Sequence, residues 1–184
     1  ELDVMVIDLP PGTGDIQLTL GQRTKLDGAI VVSTPQDVAL IDARRAIDMF
    51  DKLKTPVLGL VENMTTYICP NCGHEAHLFG HGGVAAEAAK LGLPFLGEIP
   101  LNLDVRLAGD EGTPVAAGDG PVAQAFARLA ERLVAEGGVI ERDEVTALRP
   151  LGEGVEVLSH GKLRHGAHVV LAAIVEEQRF GTAL

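Results

Sequence analysis

Residues 3–15 read DVMVIDLPPGTGD, and the fold is decided there. Val4–Ile7 is a short apolar run rich in β-branched side chains, closed by Asp8 and then by Pro10–Pro11. Successive apolar positions without alternation suit a parallel strand covered on both faces. An aspartate ending such a strand can hold Mg²⁺ through water, and the Mg²⁺ bridges nucleotide phosphates. Gly12 and Gly14 let backbone N–H groups approach a phosphate, and the two prolines stiffen the approach. Asp15 precedes Ile16, Leu18 and Leu20 and is placed to cap a short helix.

Outward from this stretch, strand and helix patterns alternate. Ala29–Val32, Val57–Val61 and Phe95–Ile99 read as three more buried strands. Asp37 starts a helix to about Lys54, with Val38, Ile41, Ala46, Ile47 and Phe50 as its apolar face, and Pro56 ends it. Val84–Leu91 is a helix capped by Gly92; Leu103–Asp110 and Val122–Glu136 are two more. The pattern predicts an α/β fold with a mostly parallel sheet flanked by helices. Such a sheet binds its ligand at the C-terminal ends of the strands, where Asp8, Ser33, Thr34, Asn63 and Pro100 all fall. Gly137–Gly138 breaks the texture, so residues 1–138 read as one domain and 139–184 as a C-terminal extension that packs on the body or stays partly loose. Within the extension, Val169–Val175 suits a strand or a helix equally. The chain opens at Glu1, almost directly on a strand, which reads as a truncated chain.

Composition narrows the function. At 184 residues, 46% of them hydrophobic, the chain can bury one core. A formal charge of −11 argues against a nucleic-acid surface or a basic membrane-surface helix. With no Trp and one Tyr there is no stacking platform for single strands. No run approaches a transmembrane span, so neither nucleic acid nor membrane is expected as a partner.

The two cysteines stand as Cys69-Pro-Asn-Cys72, a spacing that points to metal or redox chemistry in a reducing compartment, here taken as the cytoplasm. Three chemistries fit. Two such pairs, one from each subunit of a homodimer, supply the four thiolates of a [4Fe–4S] cluster. Alternatively, His74 or His77 joins the cysteines around zinc. A thioredoxin-like pair is the third, but its expected helix N-terminus is missing from the pattern.

Several segments together resemble the Mrp/ApbC-type P-loop ATPases, iron–sulfur cluster carriers of the MinD/ParA-like class. They are DVMVIDLPPGTGD, VVSTPQDVALIDARRAI, GLVENM, CPNCG, LFGHGG, FLGEIPL and GTPV, in order over about three quarters of the chain. The resemblance implies that residues 1–138 are the C-terminal part of a P-loop NTPase domain, with switch II and the cysteine loop. Asp8 would support Mg²⁺ through water as the catalytic aspartate. Gly12, Thr13 and Gly14 would sense the γ-phosphate of ATP. Asn63 would hydrogen-bond the adenine and Pro100 would flank it. Cys69 and Cys72 would hold a [4Fe–4S] cluster shared across a homodimer and passed to apo iron–sulfur proteins. A purine edge read by an amide, with one donor and one acceptor, is consistent with the role at Asn63. The alternative is a MinD/ParA-like dimeric switch or scaffold with structural zinc at the cysteine loop.

One part of that site is not in the sequence. No G-x-x-x-x-G-K-[ST] segment occurs, and none of Lys25, Lys52, Lys54, Lys90 and Lys162 follows a glycine loop of that form. The resemblance places that segment, and the first strand of the sheet, upstream of Glu1. The chain by itself is therefore expected to bind ATP weakly or not at all, to be deficient in hydrolysis, and to have a sheet with first strand(s) missing and an exposed edge.

Overall fold

The structure, a computed structural model, describes residues 2–9, 15–24, 26–136 and 163–175. Strands β1 (Leu2–Leu9), β2 (Gly28–Ser33), β3 (Val57–Ile68) and β5 (Phe95–Leu101) alternate with helices α1 (Asp15–Arg23), α2 (Asp37–Lys52) and α3 (Gly83–Leu91). A two-residue strand β4 (Glu75–Ala76) lies between β3 and α3. Helices α4 (Leu103–Asp110) and α5 (Pro121–Glu136) follow β5, and β6 (Leu163–Val175) comes last. Five strands run parallel in the order β1, β6, β2, β3, β5, and β4 pairs antiparallel with the far end of β3. The apolar run Val169–Val175 is thus a strand, and it lies inside the sheet. The gap expected in the sheet is filled by β6, which pairs with β1 on one side and β2 on the other.

Each face of the sheet has its own core. Ala29, Val31 and Leu60 point to the face covered by α2 and α3, where they meet Leu40, Ala43, Phe50, Val84 and Ala88. Ile30, Leu58, Val61 and Leu96 point the other way, toward Ala125 and Leu133 of α5. Leu58 and Leu60 are two apart in one strand yet face opposite sides, which strict alternation forbids. The step between them is Gly59; toward β2 the pairing register shifts between Val57 and Gly59, and toward β5 it shifts between Leu60 and Val61. One extra residue resets the phase of the strand, as a β-bulge does. A Cβ on Gly59 would lie 2.5 Å from Cγ of the buried Leu96, so the bulge needs glycine for space.

Helix α2 differs from its sequence reading. Val38 and Ile41 are exposed, and the buried stripe is Ala39, Leu40, Ala43, Ala46, Met49 and Phe50. Four of the six are spaced at 39, 43, 46 and 50, one line down a helix of 3.6 residues per turn. The alanines let the helix axis approach the sheet, and this closeness outweighs the larger side chains of Val38 and Ile41. Asp15 is the first residue of α1, where its charge favours the helix N-terminus. Helix α4 keeps both predicted ends, α3 begins one residue earlier at Gly83 and ends as predicted, and Gly92 adopts the left-handed cap conformation at φ 67°.

A cysteine arm rooted at the edge of the sheet

Strand β3 is longer than its apolar run. Its pairing with β2 ends at Ser33–Glu62, and the strand continues to Ile68 as an arm that keeps partners in β5, at Asn63–Ile99 and Tyr67–Leu101, and in β4 near its tip. Asn63 is therefore not at a strand terminus but at the start of this arm. The next residue, Met64, is left-handed at φ 55°, a conformation that costs a non-glycine residue about 1–2 kcal/mol. Oδ1 of Asn63 accepts a hydrogen bond from the Met64 N–H at 3.0 Å and so supports the bend. Beyond it, Tyr67 pairs with Ala76 and Ile68 with Glu75, forming a short ribbon.

Cys69 and Cys72 occupy the turn of that ribbon. The Cys69 N–H donates to the His74 carbonyl at 2.9 Å, and the Gly73 N–H donates to the Cys69 carbonyl at 2.8 Å. Gly73 is left-handed at φ 70°, which closes the turn. Backbone N–H groups of Asn71 and Cys72 donate to the Cys69 sulfur, with the Cys72 side chain adding to them, and hold its thiol below the ordinary range. Donors aimed at a sulfur favour the thiolate, the form that ligates metal. Cys69 is half-buried and Cys72 exposed, and neither is in a disulfide.

The histidines of the loop do other work. His77 Nδ1 lies 3.0 Å from the Thr65 carbonyl, which can only accept, so that nitrogen carries the proton. The rings of His77 and His81 meet at a tilt of 40° with centroids 4.6 Å apart, and His81 Nε2 lies 3.5 Å from Glu98 Oε2. Among the described residues no three His, Cys, Asp or Glu side chains gather around one point that could hold a metal ion. The cysteine arm thus offers two free sulfurs and an open side.

Two buried carboxylates anchor this region, and the sequence reading passed over both. Glu62 is fully buried; its Oε1 accepts from the Gly82 N–H and its Oε2 from the Val84 N–H, each at 2.8 Å. A strand carboxylate thereby caps the first turn of α3 and ties the loop after the cysteines to the base of the arm. Glu87, buried on α3, is gripped by Arg44 of α2, with Nε to Oε1 at 2.5 Å and Nη2 to Oε2 at 2.7 Å. That bidentate pair lowers the Glu87 pKa to about 2. The available signal was a Glu inside each apolar segment, GLVEN and VAAEAA. A charge there is tolerated only with partners.

The nucleotide-site candidates are spread along the strand ends. Asp8 is exposed and pairs in register with Ala172 of β6, which pairs with Ile30 of β2. Ser33 and Glu62 lie three residues further along, a stagger of about 10 Å from Asp8. Pro100 is half-buried in β5, next to Leu101, which pairs with Tyr67 on the arm. Gly12, Thr13 and Gly14 lie outside the described residues. So does most of the predicted extension, 139–162 and 176–184. No helix among the described residues is long and apolar enough to cross a membrane.

Comparison with known proteins adds the following. A family profile described as ParA: NUBPL iron-transfer P-loop NTPase matches residues 1–134. The iron–sulfur protein required for NADH dehydrogenase of Arabidopsis thaliana mitochondria is 50% identical over 73% of this chain and 44% of its own length. The iron–sulfur cluster carrier protein of Escherichia coli K12 is 48% identical over 74% of this chain and 37% of its own. Among solved structures, a nucleotide-binding protein from Archaeoglobus fulgidus in complex with ADP is 47% identical. That match covers 53% of this chain and 40% of the other, with a TM-score of 0.47. The chain spans less than half the length of these relatives.

Proposed function

Since the chain belongs to the NUBPL iron-transfer P-loop NTPase family, we propose that it binds an iron–sulfur cluster on Cys69 and Cys72 and passes it to apo-proteins. The observation that carries this reading is the cysteine arm. It presents two sulfurs, one of them favoured as thiolate by backbone N–H donors, on a ribbon held clear of both cores. Two thiolates are half the ligand set of a four-iron cluster. A second copy related by a two-fold axis supplies the other half, so the proposed state is a homodimer with a [4Fe–4S] cluster between the arms. A cluster held this way is exposed on one side and can leave by thiolate exchange. That is what a carrier needs and a structural zinc site avoids. The names of the relatives, iron–sulfur cluster carriers among them, support the same direction.

In this reading Asp8 holds Mg²⁺ through water, Gly12, Thr13 and Gly14 lie near the γ-phosphate, and Asn63 and Pro100 bound the adenine of ATP. The physical link between the two halves is β3. Asn63 and Met64 sit at the root of the arm that ends in Cys69, so a base drawn to the Asn63 amide acts on the bend that sets the arm. Hydrolysis belongs to a protein that also provides a phosphate loop. The free thiols call for a reducing compartment such as the cytoplasm.

The deciding measurement is iron, sulfide and zinc per chain after oxygen-free purification, read alongside the mass in solution. Iron and sulfide near two each per chain, in a dimer, are expected for one shared four-iron cluster. One zinc per monomer without sulfide would overturn the carrier reading and make the arm a structural knuckle.

A further inference from the structure

We propose that Cys69 and Cys72 of the cluster-free chain close into an internal disulfide, which makes the arm a thiol–disulfide switch on cluster loading. Only the consequence for loading rests on the carrier reading; the disulfide rests on the turn itself. Three observations carry it. First, backbone hydrogen bonds close the turn before any bond joins the sulfurs. The Gly73 N–H donates to the Cys69 carbonyl at 2.8 Å, and the Cys69 N–H donates to the His74 carbonyl at 2.9 Å. A bond from residue i+4 back to residue i folds the chain by one helical turn, and side chains three apart then stand about 5–6 Å from each other at Cβ. A disulfide asks for roughly 3.5–4.5 Å, so closure takes a shift of about 1–2 Å inside the turn. Second, the Cys72 side chain already lies within hydrogen-bonding reach of the Cys69 sulfur. Third, nothing competes for the pair. These are the two cysteines of the sequence, and the turn that holds them lies outside both cores, so no packed side chain has to move.

The step needs an oxidant, and a small dialkyl disulfide such as oxidised glutathione supplies it. Cys72 is exposed and Cys69 half-buried, so the Cys72 sulfur meets the oxidant first. It attacks one sulfur of the oxidant, the S–S bond there breaks, and one thiol leaves. Cys69 then attacks Cys72 Sγ, the mixed disulfide breaks, and the second thiol leaves. The protons of the two cysteines end on the two released thiols. The protein gives up two electrons and the oxidant gains them. Sulfurs joined to each other have no thiolate to offer iron, and sulfurs already on a cluster cannot join. Oxidation and loading therefore exclude each other, and an oxidised chain waits for a reductant before it takes a cluster.

The test uses the full chain, freed of metal, reduced, and equilibrated without oxygen in mixtures of reduced and oxidised glutathione. Remaining thiols are counted by mass after alkylation. Both thiols are expected to disappear together, at one glutathione ratio, in a chain that stays unlinked to any other. Cys69→Ser removes the sulfur that closes the ring, and it is expected to accumulate the glutathione adduct on Cys72 severalfold above the parent. Thiols that stay free in excess oxidant, a parent that stops at the adduct, or a disulfide that joins two chains would each overturn the proposal. The oxidised and reduced chains are then offered ferrous iron and sulfide. The oxidised chain is expected to retain nearly none, and dithiothreitol to restore retention to that of the reduced chain. Equal retention by both would overturn the switch. A reduced chain that holds no cluster, although its disulfide forms, would overturn the carrier reading and the switch with it, and leave the disulfide standing.

Discussion

Glu62 on β3 and Val84 at the start of α3 are joined by a hydrogen bond of 2.8 Å, from the Val84 N–H to a carboxylate oxygen with no exposure to solvent. The other oxygen takes the Gly82 N–H at the same distance. A single side chain thus caps a helix and ties the loop after the cysteines to the strand that carries them. Glu62→Gln keeps one acceptor and turns an NH₂ group toward the other N–H. The expected cost is about 1–3 kcal/mol, the range for a buried polar group left unsatisfied. Urea unfolding of the two proteins measures it, and an unchanged midpoint would show the cap to be replaceable.

The cysteines are on an arm outside both cores, so their loss should cost little stability. Cys69→Ser with Cys72→Ser is expected to abolish iron and sulfide retention while shifting unfolding by no more than about 0.5 kcal/mol. His77→Ala and His81→Ala are expected to keep the proposed cluster, since His77 Nδ1 is engaged by the Thr65 carbonyl and His81 Nε2 lies beside Glu98. Retained iron in the double serine variant would point to the histidines instead.

The pair Arg44–Glu87 gives stability a pH dependence with a definite sign. The Glu87 carboxyl titrates near 4.5 without a partner and at about 2 beside Arg44. A lowered pKa in the folded state means that the contribution is complete above about pH 4.5 and is lost as pH falls toward 2. Arg44→Met should therefore be clearly less stable than the parent at pH 6 to 8, and the two should converge in acid. Melting curves across that range would show parallel behaviour if the pair contributed nothing.

Gly59 is where β3 changes phase. Gly59→Ala would put a methyl group 2.5 Å from Leu96 Cγ, inside a packed core. Overpacking of this kind costs about 1–3 kcal/mol. Thermal or urea midpoints measure it, and no change would mean that Leu96 can yield.

Much of the fold was legible from local pattern. The short apolar runs marked β1, β2, β3 and β5, and Gly92 marked the end of α3, because burial on both faces and helix capping act within a few residues. The pair Cys69 and Cys72 was legible for a similar reason, since its spacing is visible within four residues. The buried face of α2 was not, since the alanines that line it carry a weak apolar signal and are chosen by proximity to the sheet. Nor was the arm, because the residues 65–76 have no period, and their pairing is set by the bend at Met64 and the turn at Gly73.

The sequence by itself determined the family, the alternation of strands and helices, and the presence of a C-x-x-C pair. Only the tertiary structure decided that Val169–Val175 is a strand, that it fills the centre of the sheet between β1 and β2, and that Glu62 and Glu87 have partners. Periodicity and motifs record interactions between residues near one another in the chain. Strand order and the partners of a buried charge are settled by groups that meet only when distant segments pack, and no local pattern encodes which segments those are.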